Sequence, residues 1–363
     1  MICKRFFTIL GITGIGSALA TPAAAQESLL DRVSIHGYMT QAYGRADLPI
    51  YGLPADGTAD LRTVALQLRY AISPKDHIVL QARHRRLGDN LLTEAEDDVQ
   101  LQWAFYQRHM NNFSVRIGKV PLQMGFYNET RNVGTLMPFH RAPATIYPDG
   151  VETFDGVNLN YELPLGSWAV EAAANFGSFG IVTVFPDEEG TVVVNKSRGT
   201  INYAGTLTVN TPIPGLRVRG TVENFDIPSL FVPDEKDEAT KVMGSVEGSF
   251  THFNVRSEYA RLDFDFGMQI DLFYAQAGIK PHQRVALNTQ YEVSRIEMEI
   301  PGMGTFRQTS LEDFAVGANY SLSSNVVFKL EGHHATGFMF DNQTFGGPKQ
   351  QGNYLISGVS VSF

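Results

Sequence analysis

Cysteine is almost missing from this chain. Its 363 residues hold one, Cys3, which rules out a disulfide framework and a cysteine-ligated metal centre. Long apolar runs are missing too. After the N-terminal segment, no stretch approaches the roughly 18 apolar residues that a membrane-crossing helix needs, and no convincing amphipathic helix follows. Basic charge is in deficit, with 29 Lys and Arg against 38 Asp and Glu, a net −9. That balance argues against a nucleic-acid partner. No phosphate-binding glycine loop, nucleotide fingerprint or Ser/His/Asp spacing stands out. The pair His333-His334 sits in a β-type segment and points its rings to opposite faces, which disfavours a metal site. Neither a cofactor nor a metal is expected.

The first residues give the chain an address. "MICKRFFTILGITGIGSALATPAAAQ" has Lys4 and Arg5, an apolar run from Phe6 to about Ala20, then Ala23-Ala24-Ala25. This order predicts a Sec-type secretory signal peptide over residues 1–25, cut after Ala25. The run is short and rich in Gly and Thr for a membrane anchor, and no Cys follows the small residues as a lipoprotein would require. Removal leaves 338 residues without cysteine, and losing Lys4 and Arg5 takes the net charge from −9 to −11.

From residue 33 onward one pattern recurs. Segments of about ten residues alternate apolar with polar or small side chains, as transmembrane strands do. Sixteen are expected: 33–43, 61–71, 77–86, 98–108, 113–120, 154–162, 168–177, 199–210, 216–226, 241–251, 253–263, 269–280, 283–293, 312–321, 325–335 and 353–363. Short connections such as "SPKD" (73–76), "PLGS" (164–167) and "SSN" (323–325) carry turn residues. They alternate with long ones at 44–60, 87–97, 121–153, 178–198, 227–240, 264–268, 294–311 and 336–352. The long set holds the acidic clusters "EAEDD" (94–98), "DEE" (187–189) and "DEKDE" (234–238). One tight rim and one long-looped rim predict an all-β transmembrane antiparallel β-barrel in the bacterial outer membrane.

The two faces of each segment agree. In 61–70, Val64, Leu66, Leu68 and Tyr70 oppose Thr63, Ala65, Gln67 and Arg69. In 98–106, Val99, Leu101, Trp103 and Phe105 oppose Gln100, Gln102 and Ala104. In 199–210, Ile201, Tyr203, Leu207 and Val209 oppose Asn202, Thr206, Thr208 and Asn210. The apolar rows are assigned to lipid and the polar rows to the lumen. A closed sheet is required there, because an open edge would strand N–H and C=O groups in hydrocarbon. Aromatics beside the short turns (Tyr70, Tyr161, Trp168, Phe250, Phe253, Tyr320 and Phe328) predict an interfacial girdle. In the last segment, "NYLISGVSVSF", Phe363, Val361, Val359 and Leu355 share one row, which puts Phe363 in the same ring.

Sixteen segments, a signal peptide, no mature cysteine, a terminal Phe and the long connection 121–153 together resemble the Gram-negative outer-membrane porins. "IGKVPLQMGFYNETRNVGT" (117–135) is similar to the start of the constriction loop in the group that includes the phosphate-selective porins. Some members carry an N-terminal helical extension; here only "QESLLDR" precedes the first strand. The resemblance implies one barrel domain over 26–363, a loop at about 121–153 folded into the lumen, and a homotrimer.

A porin does no covalent chemistry; it offers water and fixed charge. The expected function is passive diffusion of small hydrophilic solutes and ions, with no enzyme activity. By alternation, Arg69, Arg83, Arg85 and Arg116 point inward. The loop brings Glu129, Arg131, Arg141, Asp149 and Glu152 opposite them. The expectation is an arginine wall facing loop carboxylates across a narrow slot, or else arginines paired with wall carboxylates Glu171, Glu223, Glu247 or Glu258. Arg217, Arg219, Arg256 and Arg284 are further inward candidates. Expected partners are outer-membrane lipid, lipopolysaccharide and small polar or ionic solutes. The alternatives are a barrel hydrolase or protease, with fewer strands and a catalytic set at the rim, and a structural or adhesive surface barrel.

Overall fold

In the computed structural model, which describes residues 29–90, 98–186, 192–229, 232, 234–300, 302, 304–338, 341 and 348–363, sixteen strands follow one another round a closed ring. They are β1 (Val33–Ala46), β2 (Thr58–Ser73), β3 (Asp76–Leu87), β4 (Gln100–Met110), β5 (Phe113–Pro121), β6 (Thr153–Leu165), β7 (Trp168–Pro186), β8 (Val192–Asn210), β9 (Leu216–Pro228), β10 (Lys236–Ser249), β11 (Phe253–Phe264), β12 (Met268–His282), β13 (Val285–Ile300), β14 (Gly304–Ser323), β15 (Val326–Gly337) and β16 (Gln350–Ser362). Each pairs antiparallel with its sequence neighbours, and β1 closes on β16 with Thr40 opposite Ser360. The only described helix is a single 3₁₀ turn, Leu29–Arg32. The predicted signal peptide and the clusters at 94–97 and 187–189 lie outside the described residues.

The faces follow the alternation. Large apolar side chains are exposed around the outside, among them Leu66, Val222, Val242, Leu287, Val316 and Leu330. Tyr161, Trp168, Phe253, Tyr320, Phe328 and Phe363 are exposed near the short turns, where the girdle was expected. Backbone bonds from Gly37 N to Phe363 O (3.0 Å) and from Phe363 N to Gly37 O (2.9 Å) lock the last residue onto β1.

Two expectations are corrected. The connections assigned to 264–268 and 294–311 are tight: β11 and β12 are separated by 265–267, and β13 and β14 by 301–303. These strands run on past the apolar belt. In β13 the alternation continues with the ladder, Ile296, Met298 and Ile300 against Arg295, Glu297 and Glu299, so the strand runs to the 301–303 turn. The second correction concerns two rows that seemed continuous. Gln81 pairs with Trp103 but Ala82 with Leu101, a β-bulge at Gln102. It leaves Leu101 outside and turns Trp103 and Phe105 inward against the loop. A second bulge between Ile201 and Tyr203 keeps Tyr203 outside and buries Ile201 inside. An extra residue shifts a period-two pattern by one face.

Candidate functional site

The segment 122–152, between β5 and β6, crosses the barrel interior. Its backbone meets walls on many sides. Phe126 N donates to Glu258 Oε1 of β11 (2.8 Å), Thr145 N to Glu292 Oε2 of β13 (3.0 Å) and His140 N to Glu331 Oε2 of β15 (2.8 Å). Asn319 of β14 and Lys329 of β15 donate to the carbonyls of Pro138 and Phe139, each at 3.0 Å. Arg219 of β9 donates to Gly125 O. Asn128 Nδ2 ties the loop's two ends, donating to Leu122 O (2.7 Å) and Glu152 O (2.8 Å).

Two glycines permit this packing. Gly125 has φ +57°, and a Cβ there would lie 2.1 Å from Tyr147 OH. At Gly134 a Cβ would lie 2.2 Å from Ser360 Oγ and 2.3 Å from Thr40 Oγ1, so the loop touches the β1–β16 seam as bare backbone.

The sequence-predicted residues fall into three groups. The first is a buried latch. Arg83 Nη1 donates to Glu152 Oε2 at 2.6 Å; Arg85 Nη1 donates to Glu152 Oε1 and to Asp149 Oδ1, each at 3.0 Å. Arg131 lies 3.7 Å from Glu152 and 3.9 Å from Asp149, and donates to Pro148 O at 2.7 Å. Arg141 pairs with Asp149 and lies over the Tyr51 ring at 4.7 Å. Gln102 (2.7 Å) and Asn132 (2.9 Å) complete the shell of Glu152 Oε2. Arg83 and Arg85 are only 5% and 4% exposed. Instead of an arginine wall facing carboxylates across a slot, there is direct contact: the loop carboxylates dock on β3.

Glu152 and Asp149 lie on the crossing loop, outside the spanning strands. Burial alone would raise both carboxyls. Arg83, Arg131 and Arg85 outweigh it at Glu152, as Arg141, Arg85 and Arg131 do at Asp149, and hold both below the usual carboxylate range.

The second group keeps contact with water. Arg116 Nη1 donates to Glu129 Oε1 at 2.9 Å, and their side chains are 22% and 46% exposed. The third is Arg69, inward on β2, exposed, and without an ion pair among the described residues.

Of the four wall carboxylates expected as alternative partners, none takes these arginines. Glu247 pairs with Arg217 (2.9 Å) and Arg256, and Glu223 with Lys241. Glu258 accepts from Tyr274 OH (2.7 Å) and Tyr147 OH, and Glu171 from Asn210. Arg217, Arg219 and Arg256 gain a second role. Arg217 and Arg219 lie over the Phe126 ring at 4.3 and 4.7 Å, and Arg256 over Tyr127 at 3.6 Å. They grip the loop opposite the latch. Alternation reveals their direction, but nothing in the sequence pairs them with Phe126 and Tyr127. Arg284 stands exposed in the β12–β13 turn. His333 is buried facing Asp313 (3.1 Å) and His334 turns out to Asn353, opposite faces as expected.

A further set of inward residues was missed. The end of β7–β12 that carries the β7–β8, β9–β10 and β11–β12 connections turns Phe179, Ile201, Phe225, Ile227, Phe264 and Leu272 toward the loop. For five of them the signal was present as apolar residues on the row that elsewhere reads polar; Ile201 sat on the apolar row and turns inward only through the bulge at Asn202.

No protein-family model matches the chain, and no curated protein sequence does. Solved structures do. One is in-vitro folded OmpT, an outer membrane protein of Vibrio cholerae, in a trimer form (13% identity, 91% of this chain and 99% of that one, TM-score 0.56). Another is an anion-selective porin from Comamonas acidovorans (9%, 91% and 99%, 0.56). A third is the outer membrane channel DcaP of Acinetobacter baumannii (11%, 91% and 97%, 0.57). At such identities the likeness is one of fold: a sixteen-strand barrel shared with bacterial outer-membrane proteins.

Proposed function

We propose that this protein is an outer-membrane porin, a passive diffusion channel for small hydrophilic solutes and ions. The observation that carries the reading is the latched loop inside a closed barrel with an apolar exterior. Sixteen strands enclose more space than wall side chains fill. Segment 122–152 takes up the excess and acts as the constriction loop. The closed ladder satisfies every strand in hydrocarbon, and lumen water with fixed charge lowers the barrier to polar solutes.

In this reading Arg83, Arg85, Arg131, Arg141, Asp149 and Glu152 hold the loop in place. The water-facing charges Arg69, Arg116, Glu129 and Arg217 meet the solute. Residues 1–25 leave on export and 26–363 form the barrel, in contact with lipid and lipopolysaccharide. Homotrimers are proposed on the likeness to OmpT in its trimer form. No covalent step is involved, and sixteen strands support a channel over a barrel hydrolase.

The test is purified folded protein in a planar bilayer under a salt gradient. Discrete current steps are expected. A folded protein that stays silent would remove the channel reading and turn attention to the adhesive alternative.

A further inference from the structure

The upper lumen wall inverts the rule it should obey. Inward positions of a water-filled barrel are polar. At the end of β7–β12 that carries the β7–β8, β9–β10 and β11–β12 connections they are apolar, and with Met124 and Ile146 of the loop they enclose a cavity of about 240 Å³. Open space is ordinary in a water-filled bore; what sets this chamber apart is its apolar lining.

Three polar side chains line this apolar chamber: Glu223, Lys241 and Thr145. Lys241 Nζ is bound to Glu223 Oε2, so the pair is already neutral. Glu223 Oε1 has no hydrogen-bond partner among the described residues, though Glu223 is only 7% exposed, while the Thr145 hydroxyl lies against the Glu292 carboxylate. Such an orphan carries a desolvation cost of about 1–3 kcal/mol, and native structures tolerate few of them. An unpartnered carboxylate oxygen beside the cavity indicates a group awaiting a donor.

The geometry points to a binding site for a small uncharged molecule with an aromatic or branched aliphatic body and a hydroxyl group. The O–H donates to Glu223 Oε1. A cavity of about 150 Å³ accepts benzene, so this one holds a ring with a short side chain. A charged ligand is disfavoured, because the ion pair leaves no counter-charge for it in an apolar chamber. In the channel reading the site lies on the extracellular side of the loop. It deepens the channel reading and takes its route of solute entry from it.

The experiment titrates 2-phenylethanol into the folded barrel by calorimetry, against a micelle-only blank, and records bilayer conductance on the same preparation. Saturable binding is expected, weakened at least tenfold in Ile227→Trp, which fills the chamber. The same loss is expected in the double variant Glu223→Leu/Lys241→Leu, which removes the pair without leaving a lone buried charge. Folding of each is checked by heat-modifiable migration on gels. Absence of saturable binding, or equal binding in both folded variants, overturns the proposal. Tighter binding of phenylethylammonium than of 2-phenylethanol overturns the uncharged class. A barrel that conducts but does not bind sinks the pocket alone; one that binds but does not conduct upholds the pocket and sinks the channel.

Discussion

Glu152 accepts hydrogen bonds from Arg83 and Gln102 at one oxygen and from Arg85 at the other. Removing one partner of a buried ion pair leaves the others uncompensated, at a cost of about 3–5 kcal/mol. Glu152→Gln should therefore loosen the loop without unfolding the barrel, giving noisier open-channel current and faster proteolysis near residues 131–152. A quiet, protease-resistant variant would show that the latch is dispensable. Arg217 presents the opposite case, a cation partly open to water. Arg217→Glu should move the reversal potential toward cation preference, and an unmoved potential would take Arg217 off the solute's path. The inward direction of Arg83 and Arg85 was legible from alternation alone. Their contact with Glu152, a partner 67–69 residues away in sequence, was not, because period-two patterning assigns a face and never a partner.

At the scale of elements, strand existence was legible throughout. The lipid and lumen faces of β2 and β16 could be read residue by residue. The bulges at Gln102 and Asn202 were not, since one inserted residue leaves apolar content unchanged while reversing its face. The upper half of β13 was readable, since Ile296, Met298 and Ile300 alternate with Arg295, Glu297 and Glu299, whereas the start of β14 has Phe306 as its one large apolar residue before Leu311 and shows no such row. The loop also makes a pH prediction. Carboxylates held low when docked stabilise docking above their ordinary value, 4.5 for Glu152, and that contribution is lost as pH falls below it toward the lowered value. Conductance should stay level from about pH 7 to 5 and rise only below about pH 4. A step between pH 7 and 5 would mean that the latch does not govern the bore.

At the scale of the whole molecule, closure and filling are separate tasks. Closure depends on the β1–β16 seam, where Phe363 and Gly37 exchange two backbone bonds. Deleting Phe363 should lower the temperature at which the folded band is lost on gels, and an unchanged temperature would show that β1–β16 pairing alone suffices. Filling depends on the loop, and the central claim is that segment 122–152 sets the bore. Arg131 Nη2 donates to Tyr147 O at 3.1 Å, so the two ends of 132–146 lie within one arginine side chain of each other and a short Gly-Ser bridge can join them. The most direct measurement compares single-channel conductance of the wild type with this shortened variant. The account predicts small discrete steps for the wild type and steps several-fold larger for the variant. Equal steps from two folded proteins would contradict it.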